Sequence, residues 1–516
     1  MTAALERLRV WLDESLNPIL VKDLRQAVRG RFFTGILLLF LFLQMMLLFV
    51  VLGDEVRSGS MQMGWEVFSG LLQLLIITTM GLMPLIMGYR LYQDFQPGEE
   101  DLFTITTLTP RQIINGKLLG AWLLTAMFYA LHMPLATLTV FLRGVDFPSI
   151  LVILFSGLIF TGFIHLATVL AVLGPARQQS IAGVFFGGSW LLYFLVMMFQ
   201  EFIQQVHRHG MSGGFWGFLS RYWEPLLVLV FVAGVAYEWS VAKVTPLHAN
   251  RSLGVRRFIS CFFLGSLSLV SLQALSTGKV QPIEFWVIFL GVILMFCFAW
   301  AAADRLEPGR RILAEILTSR VGRGAFIFST GVAGGLAWAS TLGILLLLVV
   351  YGYPFFHPAW MPEFSRELNQ AWAGLQAGIL FGFNIGMTGF LLRRISIALG
   401  LADDYAVHFS VGLFILTGLV PFFILAVFQD LGRTPEIPSI FFISPLLIGE
   451  KRYQASVIIV QMIWAALNAI LNISWIYEKW AAFVPPALPV ATLVRPVSTQ
   501  VLIPIPVPVA VKEKVD

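Results

Sequence analysis

The side chains best placed to act on another molecule lie close together between Gly98 and Lys117, in the stretch GEEDLFTITTLTPRQIINGK. An acidic pair, Glu99 and Glu100, leads into Leu102 and Phe103; Thr107 and Pro110 mark a turn, and Arg111 and Lys117 close the stretch. Carboxylates beside exposed apolar side chains can dock against a partner surface, but no acid, base and nucleophile converge here. The spacing predicts a short amphipathic helix, a proline-marked turn, and the start of a membrane helix whose cationic end sits among head groups. Other reactive residue types are scattered. His207 and His209 stand without further ligands, a weak metal signal, so no metal site is expected. Cys261 and Cys297 both fall in apolar runs and read as packing residues. No phosphate-binding GxxxxGK[ST] loop, GxSxG elbow or HExxH pair occurs, so the chain has no visible means of hydrolysing ATP and is not expected to be an enzyme.

The elements that must position these residues are membrane helices. Hydrophobic residues make up 58% and charged residues 12% of the chain, against roughly 25% charged in soluble domains. The mean hydropathy is +0.82. Runs of about 20 apolar residues, the length that crosses a bilayer, fall near 33–53, 65–89, 118–142, 149–173, 180–200 and 223–242. A second set falls near 258–276, 283–303, 326–350, 372–392, 406–428 and 454–476. The expectation is an all-α polytopic membrane protein of about twelve spans. Residues 1–31 form an interfacial elbow helix, 32–250 a first six-helix domain with a loop at 90–117, and 251–476 a second six-helix domain. A Pro/Val-rich tail occupies 477–516.

With both termini inside, lysines and arginines divide about 25 inside to about 9 outside, a clear positive-inside bias. The net charge of +5 then reflects membrane flanks and needs no nucleic acid. Arg25 and Arg29 on the elbow, with Arg111 and Lys117, are expected to anchor at the lipid interface. Gly374, Gly378, Gly382 and Gly386 recur every four residues, a spacing that lets helix backbones approach closely. His132, His165, Asn384, Gln461, Asn468 and Asn472 fall within spans, where polar groups face the bundle interior. The segment at 201–222, HRHGMSGGFWGF included, reads as an outer loop forming a lid or re-entrant piece.

Two stretches carry a resemblance. The 98–117 segment is similar to the coupling loop of type-2 ABC exporter permeases, and NPILVKDLRQAVRGRFF is similar to the elbow that opens them. SPLLIGEKR resembles the segment before their final span, with Ser444 in place of Asn. The resemblance implies a permease subunit in the inner membrane, worked by a dimer of separate ATPase subunits that bind ATP and magnesium. Glu99, Glu100, Leu102, Phe103, Thr107 and Pro110 would then meet the ATPase. The cargo is not readable from the residues; wide aromatic and aliphatic surfaces fit a lipid, glycan or hydrophobic compound but also serve simply to face lipid. Residues 304–325 read either as a second, degenerate coupling element of a fused permease pair or as part of six added spans, the first permease domain then pairing with a second chain. An ion-coupled secondary transporter and a membrane scaffold remain open on the residues alone.

Overall fold

A computed structural model describes residues 17–58, 63–95, 108–142, 145–173, 181–246, 249–277, 281–306, 324–356, 361–400 and 453–483, with isolated positions between. The described residues are helical throughout, without a strand. They comprise α1 (Pro18–Arg29), α2 (Arg31–Ser58), α3 (Met63–Ile76), a π turn (Ile77–Leu82), α4 (Met83–Asp94), α5 (Pro110–Phe141) and α6 (Phe147–Leu173). Then come α7 (Ile181–Val244), α8 (Ser252–Thr277), α9 (Gln281–Ala303), α10 (Val332–Phe356), α11 (Met361–Ala398) and α12 (Gln454–Ala481). Among the described residues, ten helices are long and apolar enough to cross a membrane, and they coincide with ten of the twelve expected spans. Of the other two, 180–200 is helical from Ile181 onward, and most of 406–428 lies outside the described residues.

α7 departs from the expected loop at 201–222. It is helical up to and beyond Gly210, whose φ of 69° and ψ of 178° break it into limbs 181–209 and 211–244. The limbs fold back on each other: the rings of Phe202 and Phe218 are 5.0 Å apart, whereas 16 residues of straight helix would span about 24 Å. A β-carbon on Gly214 would lie 2.8 Å from the Val206 backbone nitrogen, so only glycine admits so tight a crossing. Aromatic residues that read as a lid therefore line the tip of a helical hairpin.

The apolar side chains gather into two main cores. One holds Phe33, Phe40, Phe68, Phe128, Ile153, Phe199 and Phe202, from α2 through the first limb of α7. The other holds Phe263, Trp286, Leu294, Phe298, Trp338, Leu346 and Phe390, from α8 through α11. The second limb of α7 borders both. Phe218, Tyr222, Leu226 and Leu229 pack on the first core, while Leu227, Val228, Phe231 and Val235 pack on the second.

The glycine row of α11 packs within the chain, against α9. A β-carbon on Gly382 would lie 2.9 Å from Met295 Cα, and one on Gly386 3.0 Å from the Phe298 carbonyl oxygen. Gly378 is looser, with Met295 Sδ at 3.9 Å. Gly374 lies on the same helix, partly buried. On another face of α11, Asn384 Nδ2 donates to Gln461 Oε1 at 2.9 Å and Asn468 Nδ2 donates to Asn384 Oδ1 at 3.2 Å. Asn472 Nδ2 extends the row by donating to the Asn468 carbonyl at 2.9 Å. These amides tie α11 to α12, as interhelical polar groups do where no water competes. In the first core His132 meets Gln44 at 3.2 Å and His165 meets Thr125 at 2.8 Å.

Candidate functional site

α5 begins inside the stretch singled out by sequence. Thr109 is its N-cap, with Gln112 completing a capping box: Gln112 N–H donates to Thr109 Oγ1 at 3.3 Å and Thr109 N–H to Gln112 Oε1 at 2.8 Å. Pro110 takes the first helical position, where its fixed φ suits the helix and no N–H is missed. The cap starts the helix eight residues before the apolar run at Leu118, so RQIINGK becomes its first two turns.

The polar residues on those turns reach three neighbouring helices, α1, α4 and α7. Arg111 pairs with Glu238 of α7 at 2.7 Å. Tyr237 Oη donates to Asn115 Oδ1 at 2.8 Å. Asn17 Nδ2 donates to the Gln112 carbonyl, while Asn17 Oδ1 caps α1 by accepting from Ile19 N–H at 3.0 Å. Gly116 makes room for this contact; a β-carbon there would lie 2.9 Å from both Asn17 Nδ2 and Ile19 Cβ. Lys117 pairs with Asp23 of α1 at 2.8 Å and Asp94 of α4 at 2.5 Å. Its side chain is 9% exposed, so the ammonium is held by protein carboxylates rather than by lipid phosphate. Arg111, 48% exposed, keeps a face to its surroundings. Arg25 and Arg29 are exposed on α1.

A second polar knot joins the other core at the same end of the bundle. The Glu238 carboxylate that binds Arg111 also lies against Gly254 in the first turn of α8. Two residues on, the buried Arg256 guanidinium donates to Asp304 at 2.7 Å and to the carbonyls of Ile327 at 3.1 Å and Gly331 at 3.2 Å. Asp304 also accepts from Ser252 Oγ at 2.8 Å and from Gly331 N–H at 3.1 Å; Gly331 has φ 145°, a conformation open to glycine. Arg393 of α11 donates to the Asp304 carbonyl. Burial, then the neighbouring charge of Arg305, pushes the Arg251 guanidinium below its ordinary value. Breaking a buried pair of the Arg256–Asp304 kind typically destabilises by about 3–5 kcal/mol.

The arrangement is a continuous belt of ion pairs and caps: α1, α4, α5 and the second limb of α7, then α8, α9 and α11. Among the described residues it holds no reactive constellation; its ion pairs fasten the helix ends to one another. Of the expected coupling residues, Pro110 lies in the belt, while Glu99, Glu100, Leu102, Phe103 and Thr107 lie outside the described residues. So does most of 304–325. Sequence reasoning passed over Asn17, Asp23, Asp94, Tyr237 and Glu238. The one signal for them was acidic residues set among cations at span ends, where each needs a partner. Comparison of the chain with protein-family models, with curated proteins and with solved structures finds no match.

Proposed function

We propose that this chain is the membrane-spanning permease subunit of an ATP-driven exporter, worked by a separate ATPase. The observation that supports this reading is the three-sided clamp on the N-terminus of α5. The 98–107 stretch runs directly into that N-terminus, so a push on it would move α5 together with α1 through Asp23, α4 through Asp94 and α7 through Glu238. Glu99 and Glu100 would contact basic groups of the ATPase, and Leu102 and Phe103 would fill its groove. The belt would carry the displacement across Glu238 and Gly254 into the second core. The Lys/Arg bias supports a cytoplasmic position for the belt end, where such a partner would reside in an inner membrane. The cargo class that fits the apolar bundle is a lipid, glycan or hydrophobic compound.

The test is a detergent pull-down of the tagged chain beside a Glu99→Lys/Glu100→Lys variant, with mass spectrometry of what co-purifies. An ATPase recovered with the native chain and lost from the variant is the expected result. An ATPase held equally by both would move the contact away from this stretch. Well-folded protein that recovers none would overturn the proposal in favour of an ion-coupled transporter, for which His132 and His165 would be the first residues to substitute.

A further inference from the structure

Beside the belt, a cleft of about 100 Å³ opens between α1, α4 and α5. Its mouth is polar, with Gln26, Arg90 and Gln93, and its floor apolar, with Phe33, Met83 and Leu124. The walls continue outward as exposed apolar surface: Leu85 and Tyr89 on α4, Leu119 and Leu123 on α5. Gln26 also lines a shallow groove on α1 bounded by the exposed Lys22, Arg25 and Arg29. Two carboxylates stand at the cleft, Asp23 and Asp94, and both are engaged by Lys117. Arg90 makes no ion pair among the described residues. In net charge Lys117 balances one of these two carboxylates and Arg90 the other, so the cleft itself is neutral; the excess positive charge at its rim comes from Lys22, Arg25 and Arg29 on the adjoining groove of α1.

We propose that this cleft binds one anionic glycerophospholipid, its phosphate held by Arg90 and the basic side chains of α1. A soluble anion would use the α1 cations and leave the floor unfilled, while a zwitterionic lipid would bring an ammonium group toward the basic side chains of α1. The space equals only about three water volumes. The cleft therefore seats the first methylenes of one acyl chain among Phe33, Met83 and Leu124, and the rest of the lipid runs along the exposed faces of α4 and α5. Such a lipid would fasten the elbow to the first core at the point where Lys117 already ties them.

The experiment is native mass spectrometry of the full chain, exchanged into micelles holding equal amounts of phosphatidylglycerol and phosphatidylcholine. The expected result is one retained phosphatidylglycerol. Loss of a charge-assisted contact should lower its retention about tenfold in Arg90→Ala, a partly exposed position whose substitution leaves the fold intact. Ala121→Leu, which fills the cleft from its wall, should lower retention as well. Equal retention of the two lipids would overturn the proposal. So would an Arg90→Ala protein that keeps phosphatidylglycerol as the native chain does, or displacement of the lipid by millimolar glycerol 3-phosphate.

Discussion

Lys117→Met removes the cation that two carboxylates share while keeping the length of the side chain. Asp23 Oδ2 and Asp94 Oδ2 lie 2.8 Å and 2.5 Å from the same ammonium nitrogen. Without it the two oxygens face each other across about 5 Å at most, where like charges at an effective dielectric of about 20 repel by ~3 kcal/mol. The Asp23 and Asp94 side chains are 21% and 31% exposed, so water weakens the repulsion to an estimated ~2 kcal/mol. The lost attraction adds to it, and Lys117→Met should destabilise the chain by about 3 kcal/mol. A partner substitution separates this account from simple loss of packing. Asp23→Asn added to Lys117→Met removes the repulsion and should return at least ~1 kcal/mol, so the double variant is more stable than the single one. The assay is thermal unfolding in detergent, followed by the fraction of monodisperse protein surviving each temperature. A Lys117→Met protein as stable as the native chain would refute the reasoning. A double variant no better than the single would show that the carboxylates are not held against each other.

Four further substitutions probe the helices that carry the belt. Gly382→Ala pushes a methyl group against the Met295 backbone and should cost about 1–3 kcal/mol, whereas Gly378→Ala, with Met295 Sδ at 3.9 Å, should stay within about 0.5 kcal/mol. The two melting temperatures measured side by side decide it. Gly210→Ala forces a side chain into a backbone conformation that only glycine adopts freely, at about 1–3 kcal/mol; limited proteolysis near 205–215 should accelerate correspondingly. Asn384→Leu removes the donor to Gln461 and the acceptor for Asn468, loosening α11 from α12 by about 1 kcal/mol. An engineered disulfide across that helix pair should restore the loss.

The place of ten of the spans was legible because length and hydropathy alone determine whether a helix can cross a bilayer, and Ile36–Leu52 or Ile150–Leu173 admit no other reading. The break at Gly210 was not legible as a hairpin, because the φ of one glycine decides whether flanking helices continue, bend or reverse. The π turn at Ile77–Leu82 was likewise hidden, since its threonines satisfy preceding carbonyls by bonds that no spacing announces: Thr78 to Leu74 at 2.9 Å and Thr79 to Leu75 at 2.8 Å. At the candidate site, Pro110, Arg111 and Lys117 stood out by type, but their partners are remote in the chain. Arg111 meets Glu238 and Lys117 meets Asp23, pairings fixed by how the helices pack rather than by local pattern. The expectation that Lys117 reaches lipid failed for that reason: its flank position suited an anchor, and only the packed fold brings two carboxylates to it.

The second limb of α7 touches both cores, and this bears on the order in which the chain is made. Synthesis delivers it before α8, α9 and α10, so Tyr222, Leu226 and Leu229 can settle on the first core while the opposite face still lies bare against lipid. That bare face is already shaped. Phe231 waits for Phe262 at 4.9 Å and Phe289 at 5.9 Å, and Gly234 leaves the space that the Phe258 ring will occupy. On this packing the first half should serve as a template on which the second half is laid down. Damage to the aromatic rungs of that limb should surface as failed membrane assembly of residues more than twenty positions downstream.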